Sequence, residues 1–129
     1  MAAPKYPQSD VVGSAVLSVA NANRDGTGTL GTVVTGTAAG VNVQAIGIAA
    51  TGNTTEGMIR FFLDDSSTKK FIGEIQVAAR TPTAVQVTAV MGVFQVPLPY
   101  QKLRSANDFI KASTEKGETF HLVGGAVGF

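Results

Sequence analysis

Short segments rich in Val, Ile, Thr and Phe recur along almost the whole chain, and clusters of Gly, Asn, Asp, Ser or Pro separate them. This alternation predicts an all-β protein, because β-branched and aromatic residues fit a pleated sheet while the separating residues favour turns. Short strands at this spacing are typical of a sandwich or barrel, and we expect an antiparallel β-sandwich. We predict about eight strands, at residues 11–20, 30–37, 41–50, 57–64, 70–78, 83–96, 109–113 and 119–129.

Two hairpins are expected from the order of strands and turns. In the first, residues 57–77 reverse at DSSTK, and alternation places Phe61 and Phe71 on the same face of the pair while Ile72 faces away. In the second, residues 108–129 reverse at EKGE. Helical periodicity is poor throughout the chain.

The length of 129 residues fits one domain with one core. We place an extended N-terminal arm at residues 1–9 and a β-sandwich domain at residues 10–129. Pro4 and Pro7 predict the arm, because proline resists both a helix interior and a central strand.

The charge pattern argues against nucleic acid and membrane as partners. Ten basic and nine acidic residues give a net charge of +1, and the basic residues are scattered rather than clustered. The apolar runs are shorter than the roughly 18 to 20 residues that span a bilayer. The first ten residues do not form a secretory signal, so we expect a chain made in a cytosol and not exported by a standard signal.

Composition favours an assembly subunit. Only 15% of the residues are charged, so the surface gains little electrostatic repulsion from other proteins. There is no cysteine, which excludes a disulfide or a thiolate metal site.

Residues 25–31, DGTGTLG, contain the spacing G-x-G-x-x-G that elsewhere binds a dinucleotide pyrophosphate. That function needs a helix after the glycines, whereas the next residues, TVVTGTAAGV, are β-branched and broken by glycine. No acidic residue for the ribose lies between Asp25 and Glu56. We therefore interpret the motif as a turn between strands, with Asp25 and Gly26 suited to positive φ, and expect no cofactor.

The remaining residues that could support catalysis or metal binding do not indicate an enzyme. Asp64 and Asp65 sit at a hairpin tip, and their side chains would point to opposite faces, so a solvated turn is the preferred interpretation. His121 is the only histidine and lies inside a predicted strand, which excludes a two-histidine zinc site and favours a structural role. We predict no catalytic residue, no metal and no small-molecule substrate.

The two ends of the chain and one late loop supply the candidate partner-binding residues. Tyr6 is an aromatic anchor of a type enriched at protein interfaces, and the prolines beside it would hold the arm extended. A disordered terminus is the alternative for this arm. The glycine-rich last strand ends on an aromatic residue that must be buried in the sheet or against a neighbour. The full set is Pro4, Tyr6, Pro7, Tyr100 and Phe129.

The segments PKYPQSDVVGSAVLSVANANRDGTGTL and ATGNTTEGMIRFFLDD, with the glycine-rich last strand, resemble small virion structural proteins of tailed bacteriophages. The shared motifs are the arm, an N-x-x-x-D-G-T-G turn and a G-M-[IV]-R strand. The resemblance implies a β-sandwich of jelly-roll type on the outer surface of a capsid. It also implies a decoration or cement protein, often a trimer, that brings no catalytic residues.

We therefore expect a cement subunit that bridges copies of the major capsid protein and stabilises the head. The alternative is a non-enzymatic binding module, such as a tail-fibre head or a carbohydrate-binding sandwich. Sugar sites generally need exposed aromatic residues with polar partners, whereas this chain has no Trp, and Tyr6 and Tyr100 both lie in segments flanked by proline.

Overall fold

The computed structural model describes residues 9–82 and 90–128, and these residues form an all-β sandwich of two antiparallel sheets, as predicted. A 3-10 turn lies at Leu98–Tyr100. The strands are β1 (Ser9–Leu17), β2 (Gly31–Thr35), β3 (Val41–Ala50), β4 (Gly57–Asp64), β5 (Lys69–Val77), β6 (Val90–Gln95), β7 (Lys102–Leu103), β8 (Phe109–Thr114) and β9 (Phe120–Gly128).

The predicted strand bounds hold best where turn residues flank a strand on both sides. The bounds of β3 and β4 match the prediction. Ser9, predicted as the last residue of the arm, instead begins β1 and pairs with Gly128. Residues 1–8, residues 83–89 of a predicted strand and Phe129 lie outside the described residues.

The first sheet has the strand order β1-β9-β3-β6, and β7 pairs with β3 beside β6. The second sheet has the order β2-β8-β4-β5. All of these pairings are antiparallel. The chain therefore passes from one sheet to the other several times. Each sheet is built mostly from strands that are distant in sequence.

The prediction of a hairpin over residues 108–129 was wrong. β8 pairs with β2 and β4 in the second sheet, whereas β9 pairs with β1 and β3 in the first sheet. The EKGE turn does reverse the chain, but it carries the chain from one sheet to the other. Turn residues indicate where the chain reverses, but they do not indicate which strand the next strand pairs with.

The hairpin formed by β4 and β5 was predicted correctly, but its faces differ from the prediction. A β-bulge shifts the register between Phe61, which pairs with Gly73, and Phe62, which pairs with Phe71. The extra residue reverses the alternation on β5. Ile72 consequently packs into the core, and Phe71 is exposed on the outer face of the second sheet.

The core lies between the two sheets. Phe61 of the second sheet stacks on Phe94 of the first, with ring centroids 4.2 Å apart and planes 9° apart. Gly73 makes room for this pair, since a β-carbon there would lie 2.6 Å from the Phe94 ring. Other buried core residues are Val34, Val43, Ile46, Ile48, Ile59, Leu103, Ile110, Phe120 and Leu122.

A pair of glycines lets the two sheets approach closely at the β1 and β2 edges. Gly13 and Gly124 are cross-strand partners in β1 and β9. A β-carbon at Gly13 would overlap the carbonyl oxygen of Val33, and one at Gly124 would lie 2.5 Å from a methyl carbon of Val34. Both glycines are therefore required by the packing of β2 against the first sheet.

Candidate interaction face

The outer face of the second sheet carries buried charge. The Arg60 side chain is only 3% exposed, and its Nε lies 3.1 Å from Glu74 while its Nη2 lies 3.0 Å from Glu115. Phe62, on the same side of β4, is fully buried. Outward residues of a sandwich normally face solvent, so something in the chain must cover this part of β4.

The loop at residues 18–30 supplies that cover. The Asn21 amide donates a hydrogen bond of 2.8 Å to the carbonyl of Thr114 at the end of β8. Farther along the loop, Arg24 pairs with Glu74, and Gly26 packs against Lys69 on β5. Because β4 lies between β8 and β5, a loop with these anchors crosses over β4.

The glycines that suggested a cofactor loop build this cover. Gly26 and Gly28 have φ of 85° and 82°, a left-handed conformation that suits glycine. The chain then enters β2 at Gly31 rather than a helix, so the interpretation as a turn is confirmed. The Asn21 side-chain amide closes the loop by donating to the carbonyls of Thr27 and Thr29, each at 2.9 Å.

The two acidic residues at the β4–β5 turn have separate structural roles. Asp65 accepts hydrogen bonds from the Thr68 amide and from the Ser67 hydroxyl and amide, which hold the pKa of its carboxyl well below the ordinary range. Asp64 is buried and lies 2.8 Å from Lys111. A solvated turn thus describes Asp65, whereas Asp64 is part of a buried ion pair.

The outer face of the first sheet has the opposite character. One row across its four main strands contains Ser14, Val123, Gly47 and Val93, paired in register. Val123 is 50% exposed and Val93 is 52% exposed. In the next row, Val16 is 58% exposed and pairs with exposed His121. We define the valine face as the outward residues Ser14, Val16, Ala45, Gly47, Ala49, Val93, Gln95, His121, Val123 and Gly125.

The valine face contains no Asp, Glu, Lys or Arg. Gly47 lies between the two exposed valines, and a β-carbon at Gly47 would meet only the Val123 carbonyl, at 3.8 Å. Neighbouring strands lie about 4.8 Å apart, so the row from Ser14 to Val93 spans about 14 Å. Exposed, contiguous apolar surface of this kind is typical of protein interaction sites.

Among the sequence-predicted site residues, the structure describes Tyr100, which lies apart from this face. Tyr100 lies in the short turn after β6, where it is half-buried and packs against the core. Pro4, Tyr6, Pro7 and Phe129 lie outside the described residues. His121 belongs to the valine face, in the strand where it was predicted, and points away from buried Phe120 and Leu122.

Sequence reasoning missed the valine face, although part of the signal was present. In β9, buried Phe120 and Leu122 alternate with outward His121, Val123 and Gly125. None of these outward residues has a long charged side chain, which is unusual for a solvent face. The signal becomes clear only when β1, β3 and β6 are known to lie in the same sheet.

Metal sites and membrane-spanning helices are the remaining candidate features over residues 9–82 and 90–128. No group of three or more His, Cys, Asp or Glu in these ranges is placed to hold a metal ion. No helix in the described part of the chain has the length and apolar character to cross a membrane. Comparison of the sequence with protein-family models finds no match, and comparison with curated proteins finds no significant relative.

Proposed function

We propose that this chain is a structural subunit of a virion, a capsid decoration or cement protein on the outer surface of the shell. It is made in the host cytoplasm, assembles as a homotrimer and bridges copies of the major capsid protein. It stabilises the head by burying surface and performs no catalysis. The proposal assigns it no cofactor, nucleic acid, membrane or small-molecule substrate.

The valine face is the observation that carries this proposal. Val16, Val93 and Val123 are each about half exposed, and completing their burial would contribute roughly 1 kcal/mol per side chain. That is a weak interface for one subunit alone. A trimer attached at several points would gain strongly from effective concentration, because each bound subunit holds its neighbours close to the shell.

We infer that the sandwich is a jelly roll, which further supports the proposal. Without the two-residue β7, the pairs β1/β9, β2/β8, β3/β6 and β4/β5 form one long antiparallel ribbon. Successive pairs of this ribbon lie alternately in the first and second sheets. A ribbon wrapped in this way is the double Greek key that viral capsid and lectin domains share.

Two measurements on the purified protein test the proposed function. Light scattering is expected to give the mass of three chains of 13.2 kDa each. Co-sedimentation with shells that lack the protein is expected to show saturable attachment. A protein that ignores shells but gives specific hits on a glycan array would overturn the proposal in favour of a receptor-binding module.

A further inference from the structure

A cavity of about 290 Å³ opens at the end of the first sheet, where β7 pairs with β3. We name it the Leu98 pocket. Its apolar wall is formed by Val41, Leu98 and Leu103, and its cationic side by Lys102 and Arg104. This volume is at the lower limit of ligand pockets, so it suits one large side chain better than a cofactor.

The Leu98 pocket has two features that call for an occupant. Leu98 is 75% exposed, the highest value among the large apolar residues of the described chain. Within the described residues, neither Lys102 nor Arg104 has a carboxylate within 4.0 Å of its side-chain nitrogens. An aromatic ring complements both features, because it buries apolar surface and presents a negative π face to the cations.

The chain carries such a ring within reach of the Leu98 pocket. Ser9 pairs with Gly128, and Gly128 pairs with Val41 of the pocket wall. The N-terminal segment therefore joins the sandwich two strand spacings, about 10 Å, from the pocket. Tyr6 is three residues before Ser9, and an extended chain covers about 10 Å in three residues.

We propose that Tyr6 of the N-terminal segment occupies the Leu98 pocket of its own chain. The ring packs against Leu98 and Val41, and its face lies near Lys102 and Arg104. In an extended segment, Lys5 points to the side opposite Tyr6, so its charge does not enter the cationic pocket. This inference is independent of the proposed function, since it concerns the free subunit.

Lys5 provides the test, because trypsin cleaves the Lys5–Tyr6 bond only when that bond is free to enter the protease. Cleavage of the intact protein is followed by mass spectrometry, and the Leu98→Ser variant is expected to lose the N-terminal five residues about tenfold faster than the wild type. Val19→Ser is the matched control, because Val19 is also an exposed apolar residue and lies beyond the opposite end of β1. Equal cleavage rates for wild type, Leu98→Ser and Val19→Ser would overturn the proposal.

A second measurement detects the contact in the wild-type protein. Nuclear Overhauser contacts are expected between Tyr6 ring protons and Leu98 methyl protons, and Tyr6→Ala identifies them by removing them while Tyr100 contacts persist. A sample that mixes labelled and unlabelled chains separates contacts within one chain from contacts between chains. Contacts seen only between chains, or no Tyr6 contacts at all, would contradict the assignment to the chain's own pocket.

Discussion

Val93 and Val123 lie in one cross-strand row of the first sheet, separated by Gly47, and both valines are half exposed. The row leaves a shallow groove at Gly47 with an apolar ridge on each side. By contrast, the outer face of the second sheet carries ion pairs and a covering loop. The valine face is thus an open surface without charged side chains, whereas the outer face of the second sheet is charged and covered, and the valine face is the better surface for a protein partner.

Filling the groove is expected to block docking without unfolding the protein. Thr at position 47 fits a strand conformation, and its β-carbon would meet only the Val123 carbonyl at an ordinary contact distance of 3.8 Å, but its side chain would fill the groove between the two valines. We expect Gly47→Thr to weaken attachment to shells at least tenfold, about 1.4 kcal/mol, with little change in Tm. Gly52→Thr is the matched control, because a β-carbon at Gly52 has no neighbour within 4 Å and Gly52 lies outside the valine face. Equal loss of attachment in both variants would contradict the prediction.

Because β1 and β2 approach closely at Gly13, one methyl group added at Gly13 is expected to lower the free energy of unfolding strongly. Gly13→Ala must displace the backbone of Val33, and overpacking of this kind costs about 1 to 3 kcal/mol. Gly47→Ala makes the same chemical change where there is room, and it is expected to leave the free energy of unfolding within about 0.5 kcal/mol. Urea denaturation of the two variants measures the difference, and similar values would show that the sheets do not approach closely at Gly13.

Arg60 and Arg24 both contact Glu74, but only the Arg60 guanidinium is buried. The same substitution is therefore expected to lower the free energy of unfolding more at Arg60 than at Arg24. Arg60 reaches both Glu74 and Glu115, and lysine cannot reproduce that two-sided geometry. We expect Arg60→Lys to lower the free energy of unfolding by about 1 to 2 kcal/mol. Arg24→Lys also alters a contact with Glu74, but the Arg24 side chain is 63% exposed, and the expected loss is below about 0.5 kcal/mol. Equal losses would argue against the cover over β4.

Acid is expected to destabilise the fold through Asp64. Burial raises the pKa of Asp64, but the Lys111 ammonium and the Ser66 amide outweigh it, so the pKa lies below its ordinary value of 3.8. The unfolded carboxyl binds a proton first as pH falls, so this stabilisation is complete above about pH 5 and is lost progressively as pH falls through the lower pKa of the folded protein. Asp64→Asn should therefore reduce the decline in unfolding free energy between about pH 5 and pH 2. An unchanged decline would show that Asp64 does not contribute.

Local sequence patterns predicted the strands better than their partners. Val41 to Ala50 and Gly57 to Asp64 were located correctly because turn residues flank each segment and β-branched or aromatic residues fill it. The second hairpin was wrong because the partners of β8 and β9 are remote in sequence. The bulge at Phe61 was not visible locally, since it depends on the fit of Gly73 beneath Phe94.

The candidate site was predictable only in part. Period-two alternation shows that His121, Val123 and Gly125 share one side of a strand. It does not show that Val16 and Val93 lie on the same surface, because that depends on sheet order. Residues 25–31 were predicted as a turn between strands, but the role of the loop at residues 18–30 as a cover for Arg60 follows only from the tertiary contacts.

If the valine face attaches the subunit to its partner, as proposed, a charge placed on that face must block attachment. Co-sedimentation with shells that lack the protein is measured for wild type, Val123→Lys and Val19→Lys, two variants with the same change at residues of similar exposure. We predict that Val123→Lys abolishes attachment while it stays folded, since it would bury an unpaired ammonium at the interface, and that Val19→Lys attaches like the wild type. Full attachment of folded Val123→Lys would show that the valine face does not attach the subunit to the shell.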